Sequence, residues 1–185
     1  MENTNFDFDF SFENTENNIV LKENTNYENQ ILKQIQYIKE LTELPKQNEV
    51  IRIITTRGVP FVAFIKWIND NEKVKNIYIA TYSIGNKVIN WITENIGNLG
   101  KINLLISKDI KSRHPNTYTR LQDISMDNYK ISVKYKHSHV KIYLFKTENN
   151  YYIITGSGNA NSEASIEQYQ IENNKKIFDF YKTLF

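Results

Sequence analysis

A chain of 185 residues is long enough to bury one full hydrophobic core without disulfides or metals. Its composition, 40% hydrophobic and 13% aromatic with six Gly and three Pro, excludes collagen-like, elastic and globally disordered classes. The lack of Cys excludes a disulfide framework, a Cys-ligated zinc or iron–sulfur site and a thiol nucleophile, and a net charge of only +2 gives by itself no reason to expect a polyanionic partner.

That average hides an asymmetry. Residues 1–30 hold seven acids and one base, whereas residues 101–146 hold ten Lys/Arg and three Asp. The leader also contains eight Asn and the string Phe6-Asp7-Phe8-Asp9-Phe10-Ser11-Phe12, so residues 1–28 read as a disordered acidic-aromatic tail preceding a domain over 29–185. Two readings of the tail stay open. One is an unstructured leader without a role; the other is a short docking segment that binds a protein partner or covers a basic face. There is neither a basic n-region nor an apolar h-region, and the longest apolar run, residues 61–65, is far short of the roughly 20 residues that span a bilayer. The expectation is a cytoplasmic protein without membrane association.

In chain order, Ile31, Ile35, Ile38 and Leu41 predict an amphipathic helix over 29–44, stopped by Pro45. A β-branched strand follows at 50–55, then a helix at 61–69 and a strand at 75–81 (KNIYIAT). Ile84, Val88, Trp91, Ile92 and Ile96 mark the face of the next helix, before a strand at 102–107. Strand, helix and strand at this spacing make a βαβ unit with parallel pairing. A helix near 117–126 precedes strands at 130–135, 139–145, 151–155 and 166–171, and an amphipathic helix closes the chain. The predicted fold class is α/β, a mixed β-sheet flanked by helices.

Chemistry concentrates in HVKIYLF at 139–145. Alternation along a strand puts His139, Lys141 and Tyr143 on one face and Val140, Ile142 and Leu144 toward the core. Residues 147–150 turn the chain, and 151–155 return it to Gly156-Ser157-Gly158-Asn159. A tight glycine loop at a strand end lets backbone N–H groups and the Ser and Asn side chains converge on an anion. An imidazole, an ammonium and an anion cradle on paired strands are the parts that phosphoryl transfer needs.

These residues resemble the phospholipase D superfamily, whose motif is H-x-K-x4-D-x6-G-S-x-N. His139, Lys141, Gly156, Ser157 and Asn159 match it in order. The motif's Asp position is Lys146 here, and 14 residues separate Lys141 from Gly156 where the motif has 11. Some phosphodiesterase branches of the superfamily also lack that Asp. Glu167 falls on the strand where many members place a carboxylate that orients the catalytic His. The resemblance covers residues 50–185 and implies a phospholipase D-like half-domain.

By this resemblance His139, Lys141, Asn159 and Glu167 are the catalytic set. One motif His attacks phosphorus to give a phosphohistidine, the His of a second motif protonates the leaving oxygen, and no metal or cofactor takes part. Lys141 and Asn159 bind the non-bridging oxygens, with Ser157, Gly158, His137 and Arg113 as further candidates for substrate phosphate. His137 reads more readily as a solvated residue at the strand entry, and Arg113, beside His114, reads equally as simply exposed. The chain carries a single motif, so a complete site implies a homodimer. The basic 101–146 stretch, with Tyr118, Tyr129 and Tyr135 interleaved, suits DNA or RNA. An endonuclease is the leading reading. The alternatives are a phospholipase or phosphatidyltransferase and a non-catalytic nucleic-acid-binding or assembly protein.

Overall fold

The computed structural model describes residues 29–35, 38–41, 43–56, 59–161 and 165–185. The proposed tail at 1–28 lies outside the described residues. Among the described residues eight strands form one mixed sheet: β1 Asn29–Ile35, β2 Glu49–Thr55, β3 Asn76–Thr81, β4 Ile102–Ser107, β5 Ile131–Lys136, β6 Ile142–Lys146, β7 Tyr151–Gly156 and β8 Gln168–Asn173. Their spatial order is β1-β2-β8-β7-β6-β3-β4-β5. Parallel pairs β1/β2, β3/β4 and β4/β5 flank an antiparallel centre, in which β6 and β7 form the expected hairpin with Lys146 opposite Tyr151 and Ile142 opposite Thr155.

The helices are α1 Phe61–Asn71, α2 Asn86–Asn95, α3 Ile110–Arg113, α4 Pro115–Asp127 and α5 Lys175–Lys182. The first four bury Phe61, Phe64, Ile68, Val88, Ile92 and Leu121 against one face of the sheet in a large apolar core. Helix α5, capped by the Asn174 side chain accepting from the Lys176 and Ile177 amides, covers the other face with Phe178 over Tyr78, Ala80, Leu144 and Ile153. Removing a fully buried aromatic such as Phe61 would cost roughly 3–5 kcal/mol, a large share of a domain's net stability. No helix among the described residues is long and apolar enough to cross a membrane.

Two sequence expectations change. Residues 29–35 form a strand, not a helix, and only a single turn of 3-10 helix follows at Ile38–Glu40. Ile31 and Ile35 fit a period of two as well as a helical stripe, and parallel pairing with β2 over seven positions decides the outcome. Strand β6 begins at Ile142, so His139 to Lys141 form its extended lead-in. Helices lie over both faces of this central strand, so Tyr143 is buried in the larger core while Ile142 and Leu144 are buried in the smaller one. Val140, expected inside, is 39% exposed.

Candidate active site

The strand directions bring six chain segments to one end of the sheet. The register pairs Ala80 with Ile142, Ile142 with Thr155, Gly156 with Tyr169 and Ile54 with Gln168. The C-terminal ends of β2, β3, β4 and β7 therefore meet the N-terminal entries to β6 and β8. In open α/β sheets the crevice beyond the carboxyl ends of the strands is where ligands bind.

The lead-in to β6 presents His139 and Lys141, and the Lys141 ammonium donates to the His139 carbonyl at 2.8 Å. The imidazole of His139 lies on the Tyr82 ring, with centroids 4.5 Å apart and planes 21° apart. Tyr82 donates to Asp109 Oδ2 at 3.1 Å, the other carboxylate oxygen lies 3.8 Å from His137 Nδ1, and the Arg113 guanidinium sits 6.0 Å from the Tyr82 ring centre. Desolvation and the bond to Asp109 hold the Tyr82 phenol above its ordinary value, so it is a donor at neutral pH. Arg113 and His137 thus border the His139 side of the site. His137 itself is 80% exposed and not packed into the core.

The loop after β7 is fixed from three directions. The Ala160 carbonyl accepts from the Gly85 amide at 2.8 Å, the Asn161 carbonyl accepts from the Phe61 amide at 2.9 Å, and the Gly158 carbonyl accepts from the Tyr143 hydroxyl at 2.7 Å. Two helix N-terminal regions therefore clamp the residues that follow Asn159, aiming their positive ends at this loop. The Thr81 hydroxyl donates to the Ser83 carbonyl at 2.9 Å and accepts from the Ala160 amide at 3.2 Å, and Asn159 Oδ1 lies 3.4 Å from the same hydroxyl oxygen.

The two glycines of this loop have a packing reason. A Cβ at Gly156 would stand 2.4 Å from the Gln168 carbonyl oxygen and 2.6 Å from Tyr169 Cδ1, and one at Gly158 would stand 2.1 Å from the Tyr169 hydroxyl. Tyr169 is buried across the loop. Gly158 is buried as well, so what it visibly contributes is close approach to Tyr169. Ser157 is exposed and donates to the Glu167 carboxylate, while accepting from the Gln168 amide at 3.0 Å. Glu167 is held by its backbone to Thr55: its amide donates to Thr55 Oγ1 at 2.9 Å, and its carbonyl accepts from the Thr55 amide at 2.9 Å. In this conformation Glu167 engages Ser157, and His139 is engaged by Tyr82.

An open cleft of about 950 Å³ borders His139 and Lys141 on the α5 side, lined by Arg52, Ile54, Val140, Gln168, Gln170 and Tyr181. Among the described residues that line it are Arg, Lys and His and no acidic side chain. The basic stretch is otherwise more dispersed than its sequence suggests. Lys130 caps the carbonyls of Ile96, Gly97 and Leu99 at the opposite end of the sheet, Lys134 reaches the Phe185 carbonyl, and Arg120 bonds Asn86 and Asn90. Tyr118 and Tyr135 pack on one another and against the core, and the 92% exposed Tyr129 precedes β5 at the far end. They do not form a stacking row beside His139.

Sequence reasoning missed Tyr82, Asp109, Thr81 and Thr55. Each lies at or just past the C-terminal end of β2, β3 or β4, and that position was the available signal.

Solved structures share this architecture. Polyphosphate kinase from Porphyromonas gingivalis superposes with a TM-score of 0.55 at 13% identity, over 73% of this chain and 25% of that one. Phosphatidylserine synthase from Haemophilus influenzae gives 0.52 at 10% identity, over 72% and 36%. Both are phospholipase D superfamily members. The chain has a phospholipase D-like fold. It spans a quarter to about a third of the length of those structures, at identities that speak for the fold alone. No family model and no curated protein matches the chain.

Proposed function

We propose that this phospholipase D-like chain is a phosphodiesterase that cleaves DNA or RNA through a phosphohistidine at His139, with a second copy completing the site. The observation that carries this reading is the meeting of His139, Lys141 and the Gly156–Asn159 loop at one end of the sheet, beside a cleft whose described lining bears cationic and no acidic side chains.

The chemistry balances without a metal. A ring nitrogen of His139 attacks phosphorus and forms an N–P bond as the bond to the leaving oxygen breaks. The partner's His139 gives that oxygen its proton. It then takes a proton from the water whose oxygen attacks phosphorus and breaks the N–P bond. Lys141 and Asn159 stabilise the charge gathering on the non-bridging oxygens. Glu167, swinging from Ser157 toward the imidazole, would set its tautomer and support its cationic form.

Lys146 does not weaken this reading. The motif's Asp position falls at the far end of β6, where the Lys146 ammonium lies 5.5 Å from the Tyr151 ring centre. The test is cleavage of single- and double-stranded DNA and RNA in EDTA, with solution mass measured in parallel. Cleavage lost in His139→Ala, in a dimer that stays folded, is the expected result. EDTA-sensitive cleavage, activity that survives the substitution, or an active strict monomer contradicts it.

One observation favours a second reading, a non-catalytic nucleic-acid-binding protein: the Glu167 carboxylate is engaged by Ser157. Tight binding without turnover, and no phosphohistidine trapped at His139 by an activated phosphodiester, would establish that alternative.

A further inference from the structure

The residue that holds the His139 ring is not in the motif. His139 lies outside regular structure on an exposed segment, so its rotamer is not set by core packing. Tyr82, by contrast, is fixed at two points. Its backbone leaves the end of β3 directly after the buried Thr81, and its hydroxyl is bonded to Asp109, two residues past the end of β4. The two parallel strands thus present one aromatic plate, and the imidazole lies on it at 4.5 Å and 21°.

We infer that Tyr82 is the positioning residue for the His139 imidazole, with Asp109 holding the Tyr82 ring in place. This inference rests on the proposed reading only for its catalytic consequence; the stack itself is independent of it. A hydrogen bond would orient the imidazole at the cost of occupying one of its nitrogens. A stack holds the ring by its face and leaves both nitrogens at the edge, one for phosphorus and one for an orienting carboxylate. The electron-rich face of Tyr82 also tolerates the cationic ring that forms during turnover. The Arg113 guanidinium lies 6.0 Å from the centre of the Tyr82 ring and adds a cation beside this pair.

The experiment compares wild type, Tyr82→Leu, Tyr82→Phe, Tyr82→Trp and Asp109→Asn by two readouts. The first is the NMR shift of the His139 ring protons, assigned by their loss in His139→Ala; a stacked ring moves them upfield. The second is kcat and KM for bis(p-nitrophenyl) phosphate. Tyr82→Leu should abolish the upfield shift and lower kcat about 30-fold with KM nearly unchanged, the signature of misplacement rather than lost binding. Tyr82→Phe and Tyr82→Trp, which keep a ring but lose the bond to Asp109, should fall between, and Asp109→Asn, which keeps an acceptor for the phenol, should lose no more than they do. The aromatic variants, which keep a ring on the same backbone, serve as rescue if Tyr82→Leu folds poorly. A His139 shift unchanged in Tyr82→Leu overturns the inference, as does full kcat in that variant. If wild type hydrolyses nothing, the phosphodiesterase reading fails, and the ring shift alone decides whether Tyr82 holds His139.

Discussion

His139 precedes β6 and Lys146 ends it, and the four steps from Ile142 to Lys146 alone carry the chain roughly 13 Å away at about 3.3 Å per residue. A group at position 146 therefore cannot touch a phosphate bound at His139. Lys146→Asp, which restores the motif's residue, should change kcat less than about twofold and stability by no more than about 1 kcal/mol, the scale of its contact with Tyr151. Turnover and urea midpoints measured side by side check this. A tenfold gain in activity would show that the position acts on the site through the strand.

The Gly156 contacts make a different kind of prediction. The Gln168 carbonyl that a Cβ would strike belongs to the β7/β8 sheet and cannot rotate away, and the Tyr169 ring closes the other side. Gly156→Ala should cost about 3 kcal/mol, whereas Gly97→Ala, whose Cβ meets nothing within 4 Å, should stay within about 0.5 kcal/mol. Chemical denaturation of both variants separates a packing requirement from a general glycine effect.

The same contacts show how far the sequence alone reaches. The β6/β7 hairpin, its turn at 147–150 and the βαβ unit were readable because alternation, length and turn residues are local signals. Residues 29–35 were misread because local spacing does not say whether an edge strand will find a parallel partner. His139, Lys141 and Asn159 were found by motif, but Tyr82 and Asp109 were not. They join the site through the pairing of β3 with β6 and β4, at sequence separations that no local pattern reports. The Gly-Ser-Gly loop was read as an anion cradle alone because Tyr169, the ring that demands both glycines, is eleven residues beyond Gly158.

Glu72 ties the end of α1 to the β6/β7 turn. Its carboxylate accepts from Thr147 Oγ1, Asn150 Nδ2 and the Tyr152 hydroxyl, each at 2.7 Å. Burial alone would raise its pKa, but the three donors outweigh it and hold the group below the ordinary value of 4.5. The folded-state value is depressed, so the contribution is full above pH 4.5 and is lost as pH falls through the folded value, where the unfolded chain binds the extra proton first. Glu72→Gln should cost about 1–3 kcal/mol at neutral pH, and its stability should decline less steeply in acid than that of wild type. Denaturation midpoints from pH 7 down to pH 3 give both quantities; parallel acid slopes would contradict the assignment.

Tyr135 offers the opposite sign. Its hydroxyl is buried without a hydrogen-bond partner among the described residues, and burial, helped by Tyr118, pushes its pKa up to about 12. The folded state holds this proton more tightly, so stability falls as pH rises from the ordinary value of 10 toward 12. Tyr135→Phe removes both the stranded hydroxyl and that titration. It should be neutral to about 1 kcal/mol stabilising at pH 7, with a shallower alkaline loss. Destabilisation by more than 1 kcal/mol would mean that the hydroxyl is satisfied in solution.

The Ser157–Glu167 pair decides whether the loop and the carboxylate act as one device. Glu167 is anchored through its backbone to Thr55 and its carboxylate accepts from Ser157, and the proposed mechanism has it exchange to the imidazole. If Ser157 stores the carboxylate for that exchange, Glu167→Gln should lower kcat about 100-fold, the low end of what the imidazole it orients contributes by acid–base catalysis, and Ser157→Ala about tenfold. The double variant should then be no slower than Glu167→Gln, because groups acting as a unit are not additive. Equal losses in the two single variants, with unchanged pH–rate profiles, would instead assign Glu167 to shaping the Gly156–Asn159 loop and leave orientation of His139 to Tyr82.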